Sequence, residues 1–174
     1  EIRKPKAPIG LPFASVSVKI SRGWKKAYLG IGSNMGDREG YIRQALERLR
    51  ADQRIRKVCV SQLITTAPYG GVEQEDFLNG AIGLETLYTP WELLDLLQSL
   101  EREAHRERKI HWGPRTLDLL LFEGFVSDDP RLTIPHPDMH NRRFVLEPLA
   151  QLCPYGRHPV LGKSVGQLLE ELKE

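Results

Sequence analysis

Apolar positions along the chain switch repeatedly between two spacings. "AYLGIG" (27–32) is a short apolar run that predicts a strand, and Ile42, Ala45, Leu46 and Leu49 then recur at i, i+3, i+4 and i+7, the spacing of one helix face. "IRKVCVSQLITT" (55–66) is rich in β-branched residues and predicts a strand. "DFLNGAIGLE" (76–85) has period two, with Phe77, Asn79 and Ala81 on one face and Leu78, Ile82 and Leu84 on the other. "TPWE" spells a helix start: Thr89 is the N-cap, Pro90 takes the first helical position and Glu92 completes a capping box. Leu93, Leu96, Leu97, Leu100 and Ala104 supply its buried stripe. Gln98 and Glu101 lie off that stripe, three residues apart, so their ends can point together. The apolar run of "HWGPRTLDLLLF" (111–122) predicts the next strand and "RLTIPH" (131–136) another, and Ser164 with Gln167 starts a last helix. From Ala27 the order is β-α-β-β-α-β with additions, the ferredoxin-like arrangement of an α+β domain.

The first two dozen residues follow neither spacing. "KPKAPIGLPF" holds three prolines, "ASVSVKI" alternates like a strand, and Trp24 to Lys26 closes the segment. Such a piece cannot build a core, so residues 1–26 are expected to be a tail or linker and 27–174 the domain. The length of 174 residues suits one domain. No stretch approaches the ~18 apolar residues of a membrane span, and "EIRKPKAPIG" has no apolar core of a signal peptide. Cys59 and Cys153 form no metal-type spacing and read as reduced thiols of a cytoplasmic protein.

The net charge of +2 opposes a nucleic-acid protein that works by broad phosphate neutralisation. Basic residues nevertheless gather in "HRERKIHWGPR" (105–115) and "RRF" (142–144), which suits either a small polyanion or a solvated basic face. "GIGSNMGD" lies between a strand and a helix but matches neither phosphate-loop pattern, so a tight connection is the better reading. Asp118, embedded in Leu-rich sequence and preceded by Arg106, Arg108, Arg115 and Trp112, is a candidate for Mg²⁺ beside bound phosphates. His136, after Pro135, fits a strand cap equally well.

"AYLGIGSNMGDR", "TAPYGG…QEDFLNGAIGLET", "GPRTLDL" and "RLTIPHPDMHNRRFVLEPL", in that order over about residues 27 to 172, closely resemble 6-hydroxymethyl-7,8-dihydropterin pyrophosphokinase. The resemblance implies a three-layer αβα arrangement around the ferredoxin-like core. It also implies transfer of the β,γ-pyrophosphate of ATP, a co-substrate, to the hydroxymethyl oxygen of 6-hydroxymethyl-7,8-dihydropterin, with Mg²⁺, leaving AMP. Carried over, it places Phe77 and Phe144 on the two faces of the pterin, Asn79 on its donor–acceptor edge, and Thr66, Ala67 and Tyr69 along the same pocket. Phe77 stands where many relatives have Tyr. Gln98, Glu101, Arg108, Trp112, Arg115, Arg131, Thr133, His136 and Arg142 are implied to contact ATP. Arg106 and Arg115 are implied to close over the phosphates and act in catalysis, and Asp118 to bind metal. Pro137 departs from the aromatic often found after that His.

One departure matters most. The resembling family reads T-L-D-L-D before its apolar run, with both carboxylates on one face bridging two Mg²⁺ ions, whereas this chain reads "TLDLLLF" and carries Leu120 after Asp118. Retained nucleotide binding with weakened metal affinity follows; a pterin or nucleotide binder that has lost turnover is the competing reading. A ferredoxin-like RNA-binding module is opposed by the near-neutral charge and the lack of an RNP1-like stretch. "KPKAPIGLPFASVSVKISR" resembles the carboxyl end of dihydroneopterin aldolase, with Lys4 at that family's catalytic lysine. This implies a bifunctional aldolase–pyrophosphokinase of which this chain is the second half.

Overall fold

Two long strands and a shorter partner set the frame of the protein, seen here in a computed structural model that describes residues 23–33, 38–66, 77–106 and 115–172, with the backbone alone for Arg38, Arg106 and Arg115. The elements are β1 (Lys25–Ser33), α1 (Arg38–Ala51), β2 (Ile55–Val60), β3 (Ile64–Thr66), β4 (Phe77–Thr86), α2 (Pro90–Arg106), β5 (Arg115–Phe122), β6 (Ser127–Asp129), β7 (Leu132–Ile134), a 3₁₀ turn (Met139–Asn141), α3 (Arg143–Leu152) and α4 (Val165–Glu171). The main sheet runs β2-β4-β1-β5 with every pairing antiparallel, and β3 adds to β4 beyond β2. This is the expected ferredoxin-like order. No helix among the described residues is long and apolar enough to cross a membrane.

Period two puts Ala27, Leu29 and Ile31 of β1 on one side of the sheet, under Ile42, Ala45 and Leu49 of α1 and Leu93, Leu97 and Leu100 of α2. The opposite side is covered by α3 and α4, where Ala81, Leu120 and Leu121 meet Met139, Leu146, Leu149, Val165 and Leu168. Helices on both faces give the three-layer arrangement. Each fully buried Leu contributes roughly 2 kcal/mol of apolar transfer. The α2 cap forms as expected: Glu92 N–H donates to Thr89 Oγ1 at 3.1 Å, and Thr89 N–H donates to Glu92 Oε1 at 2.9 Å. Ser164 and Gln167 make the matching box at α4.

Several expectations are corrected. The predicted strand 55–66 is two strands, because Ser61 leaves the ladder. Its N–H donates to Ala81 O, and its Oγ accepts Ala81 N–H at 2.9 Å, while Leu63 turns outward. Within β2 the register slips between Arg56 and Cys59, where Lys57 has a φ of 57°. β1 begins at Lys25, two residues before the expected boundary; Trp24 lies under the Arg56 guanidinium, 4.2 Å from its ring centroid. The predicted 131–136 strand shortens to β7 and pairs with the polar β6 in a separate hairpin. α3 was not expected at all. Both cysteines are free thiols, and burial raises the pKa of Cys153 to about 11. Residues 1–22 lie outside the described residues.

β5 is an edge of the main sheet, and its outer side is closed by side chains and by the hairpin. Leu117 N–H donates to Glu101 Oε2 at 2.7 Å, and Leu120 O accepts His136 N–H at 2.9 Å.

Candidate functional site

On the face turned toward α3 and α4, β1 has a bare stretch at Gly30 and Gly32. Register sets Asn79 of β4 beside Gly32 on one flank, and Thr116 and Asp118 of β5 beside Gly32 and Gly30 on the other. A Cβ at residue 32 would lie 2.9 Å from Asn79 Oδ1 and 3.3 Å from Thr116 Oγ1. The glycine therefore clears room between an amide and a hydroxyl. Asn79 Nδ2 donates to Thr66 Oγ1 at 2.9 Å, which fixes the amide and leaves Oδ1 and the second N–H for a ligand. Phe77, two residues before Asn79 on the same face, is half-buried. The resemblance implies a pterin on the Asn79 edge; Gly32→Ala, which would push that amide aside, is then expected to weaken pterin affinity by about tenfold or more, with little change in ATP affinity. Titration calorimetry with each ligand checks this.

The other wall comes from the segment between β7 and α3. Met139 is fully buried and anchors it. Arg142 has an extended backbone and begins α3 through its carbonyl, which accepts Val145 and Leu146 N–H at 3.0 Å each. No side chain caps the helix, and the Arg142 guanidinium lies over the half-buried Phe144 ring, 5.8 Å from its centroid. His136 Nδ1 lies 3.0 Å from Pro137 O.

Asp118 keeps an exposed side chain, yet enough protein surrounds it that desolvation leads its titration. Desolvation raises its pKa, and His136 and Arg142 pull it back down. Glu101, half-buried at the end of α2, is raised by burial first, opposed by the Leu117 N–H and reinforced by Asp118. Asp118, His136, Arg142, Phe144 and Glu101 are thus brought together, with Thr66, Phe77 and Asn79 across the bare glycines.

Other expected residues are placed differently. Arg131 is held by Asp129 and lies over Trp91 at the start of α2, 5.1 Å from the ring centroid. Thr133 Oγ1 donates to Asp129 O at 3.0 Å. Gln98 is exposed on α2, whereas Glu101 is tied to β5. Ala67, Tyr69, Arg108 and Trp112 lie outside the described residues, as do the side chains of Arg106 and Arg115. Gly30, Gly32 and Thr116 were missed; only the strand register reveals them.

The strand carries one acid here. Leu120 is 2% exposed and is the extra residue of a bulge, since Tyr28 pairs with Leu121 and Leu29 with Leu119. It turns into the core against Gly30. Among the described residues no group of three metal-ligating side chains gathers. Asp118 fits one hard cation shared with phosphate oxygens, and a bridging carboxylate pair is not built.

The family model described as 7,8-dihydro-6-hydroxymethylpterin-pyrophosphokinase (HPPK) matches residues 28–154. The chain is 45% identical over 129 residues to the 2-amino-4-hydroxy-6-hydroxymethyldihydropteridine pyrophosphokinase of Bacillus subtilis, covering 73% of this chain and 77% of that protein. It is 43% identical over 151 residues to the bifunctional protein FolKE of Lactococcus lactis subsp. cremoris, covering 84% of this chain and 43% of that one. A solved Plasmodium falciparum HPPK-DHPS triple mutant with SDX-DHP is similar in fold, with a TM-score of 0.65 over 90% of this chain and 43% of that chain, at 14% identity.

Proposed function

The chain belongs to the 7,8-dihydro-6-hydroxymethylpterin-pyrophosphokinase family, and from that membership and the site's geometry we propose that it transfers pyrophosphate from ATP to 6-hydroxymethyl-7,8-dihydropterin in folate biosynthesis. The observation that carries this reading is the amide of Asn79, pinned by Thr66 beside a bare Gly32, facing the Asp118–His136–Arg142 wall across one trough. An amide offering both a donor and an acceptor suits the edge of a pterin, and Phe77 and Phe144 supply apolar faces for its ring. Arg142 offers positive charge to a triphosphate laid along β5.

In the transfer, the hydroxymethyl oxygen bonds to the β-phosphorus and releases its proton to solvent as the bond to the α-phosphate oxygen breaks, and AMP leaves. Such a step needs alignment and charge stabilisation more than covalent help. Asn79 fixes the pterin, and with it the direction of its hydroxymethyl arm. Arg142 stabilises phosphate charge, and Arg106 and Arg115 are assigned to the same phosphates. We assign Asp118 to a Mg²⁺ ion carried in with ATP; when bound, that ion would supply further neutralisation of the phosphate oxygens.

Pterin-dependent AMP release from ATP, followed by chromatography, tests the reading. Stoichiometric AMP and pterin diphosphate are expected; ATP hydrolysis indifferent to the pterin would overturn it. The buried Leu120 favours a second reading, a slower enzyme with weak metal affinity. In that case both ligands bind by calorimetry while AMP appears only at high Mg²⁺. Residues 1–26 we read as the carboxyl end of a dihydroneopterin aldolase fused ahead of this domain. The "KPKAPIGLPF" match and the existence of bifunctional relatives support this, and a parent reading frame encoding no aldolase upstream would refute it.

A further inference from the structure

The β6–β7 hairpin carries an ion pair that contributes little to folding and much to geometry. Asp129 Oδ1 accepts Arg131 N–H at 2.9 Å and Nε–H at 3.1 Å, while Oδ2 accepts from Nη2 at 2.9 Å. The Arg131 side chain is 64% exposed and the Asp129 side chain 23%, a setting in which an ion pair stabilises the fold only slightly. Two-point attachment nevertheless fixes the plane of the guanidinium. One face of that plane covers the Trp91 ring. The Asp129 carbonyl also accepts the Thr133 hydroxyl, so a single residue orients two of the groups assigned to ATP.

This arrangement has a chemical consequence. An arginine free of carboxylates is a strong phosphate clamp, whereas one neutralised by a bidentate partner brings little net charge to a polyanion. What remains on Arg131 is three of its five N–H donors and one flat face. Those suit neutral acceptors and a planar ring.

We propose that Asp129 is a positioning residue for the nucleotide, neutralising Arg131 and presenting its remaining donors and open face to the ribose and base of ATP rather than to the phosphates. The proposal rests on the pyrophosphokinase reading and specifies how its nucleotide side discriminates. Asp129 touches no reacting atom in it, so its effect belongs in KM for ATP and not in kcat.

The test compares AMP, a non-hydrolysable ATP analogue and inorganic tripolyphosphate by calorimetry on the full chain, wild type against Arg131→Ala, Asp129→Asn, Asp129→Glu and the double variant. Arg131→Ala should weaken AMP and the analogue by the same factor, about tenfold, and leave tripolyphosphate unchanged. Asp129→Asn should weaken AMP, raise KM for ATP at constant kcat, and tighten tripolyphosphate as the guanidinium charge is freed. Asp129→Glu should restore part of the loss, and the double variant should bind no worse than Arg131→Ala. If Arg131→Ala lost affinity for tripolyphosphate, or Asp129→Asn left AMP binding intact, the proposal would be overturned while pterin-dependent AMP release stood. Failure of the wild-type chain to form AMP from both substrates would instead remove the reading beneath it. Urea midpoints of the variants separate a local effect from misfolding.

Discussion

Replacing Leu120 by Asp is expected to lower the unfolding free energy by on the order of 4 kcal/mol, and not to tighten Mg²⁺ binding. The reason is where the bulge in β5 sends this side chain. Leu120 is 2% exposed, its δ carbons lie 3.5 and 3.6 Å from the Cβ direction of Gly30, and its cluster contains Ala81, Met139, Leu146 and Leu149. A carboxylate there is set among apolar side chains, and the cavity left by the lost methyl groups adds to the cost of the charge. Urea unfolding at neutral pH, with Mg²⁺ titrated against a bound ATP analogue, measures both quantities. Wild-type stability together with tighter metal binding would show that position 120 opens to the site. It would also restore a two-carboxylate centre to the reading of this chain.

The second large effect is at Asp118. Asp118→Asn is expected to reduce turnover about 100-fold or more while changing affinity for an ATP analogue only slightly. The same change should stabilise the fold at neutral pH. Desolvation holds the folded pKa of Asp118 above its unfolded value, against the pull of His136 and Arg142. Between the unfolded value of about 3.9 and the raised folded one, the folded state therefore holds more protons than the unfolded chain. Stability from this group is present below the unfolded value and lost as pH rises through the folded one. At pH 7 the ionised carboxylate is thus a net burden on folding, and the amide removes it. Melting temperatures across pH without Mg²⁺, paired with turnover measured in its presence, decide the matter; a variant that melts lower than wild type at neutral pH would contradict it.

The legible parts of the molecule are those where one local rule suffices. Thr89, Pro90 and Glu92 fix the start of α2 by capping chemistry alone, and the alternation in 77–84 assigns two opposite faces that the two cores then occupy. The illegible parts depend on distant partners. α3 has no side-chain cap and carries Pro148 in its interior, so nothing local announces it; burial of Leu146 and Leu149 under the sheet holds it. β6 is "SDD", polar throughout, and is a strand only because β7 pairs with it. The break at Ser61 depends on a hydroxyl reaching across to β4. In the site, Phe77 and Asn79 read as one strand face, and family resemblance was needed to lift them above ordinary core positions. Gly30 and Gly32 mean nothing until strand pairing sets them between Asn79 and Asp118. Arg131 shows the opposite failure, since the resemblance sends it to ATP and only geometry shows the carboxylate that occupies it.

The treatment of the two sheet margins governs how the protein meets its neighbours in a crowded solution. At one margin, the Glu101 carboxylate and the His136 peptide occupy the Leu117 and Leu120 groups of β5 that an incoming ladder would need. At the other, the left-handed Lys57 and the slipped register of β2 put a charged kink where a foreign strand would dock. Templated strand addition, the usual route from an antiparallel sheet to fibrils or edge-joined aggregates, is therefore obstructed at both ends, and at the β5 margin by groups that also border the site.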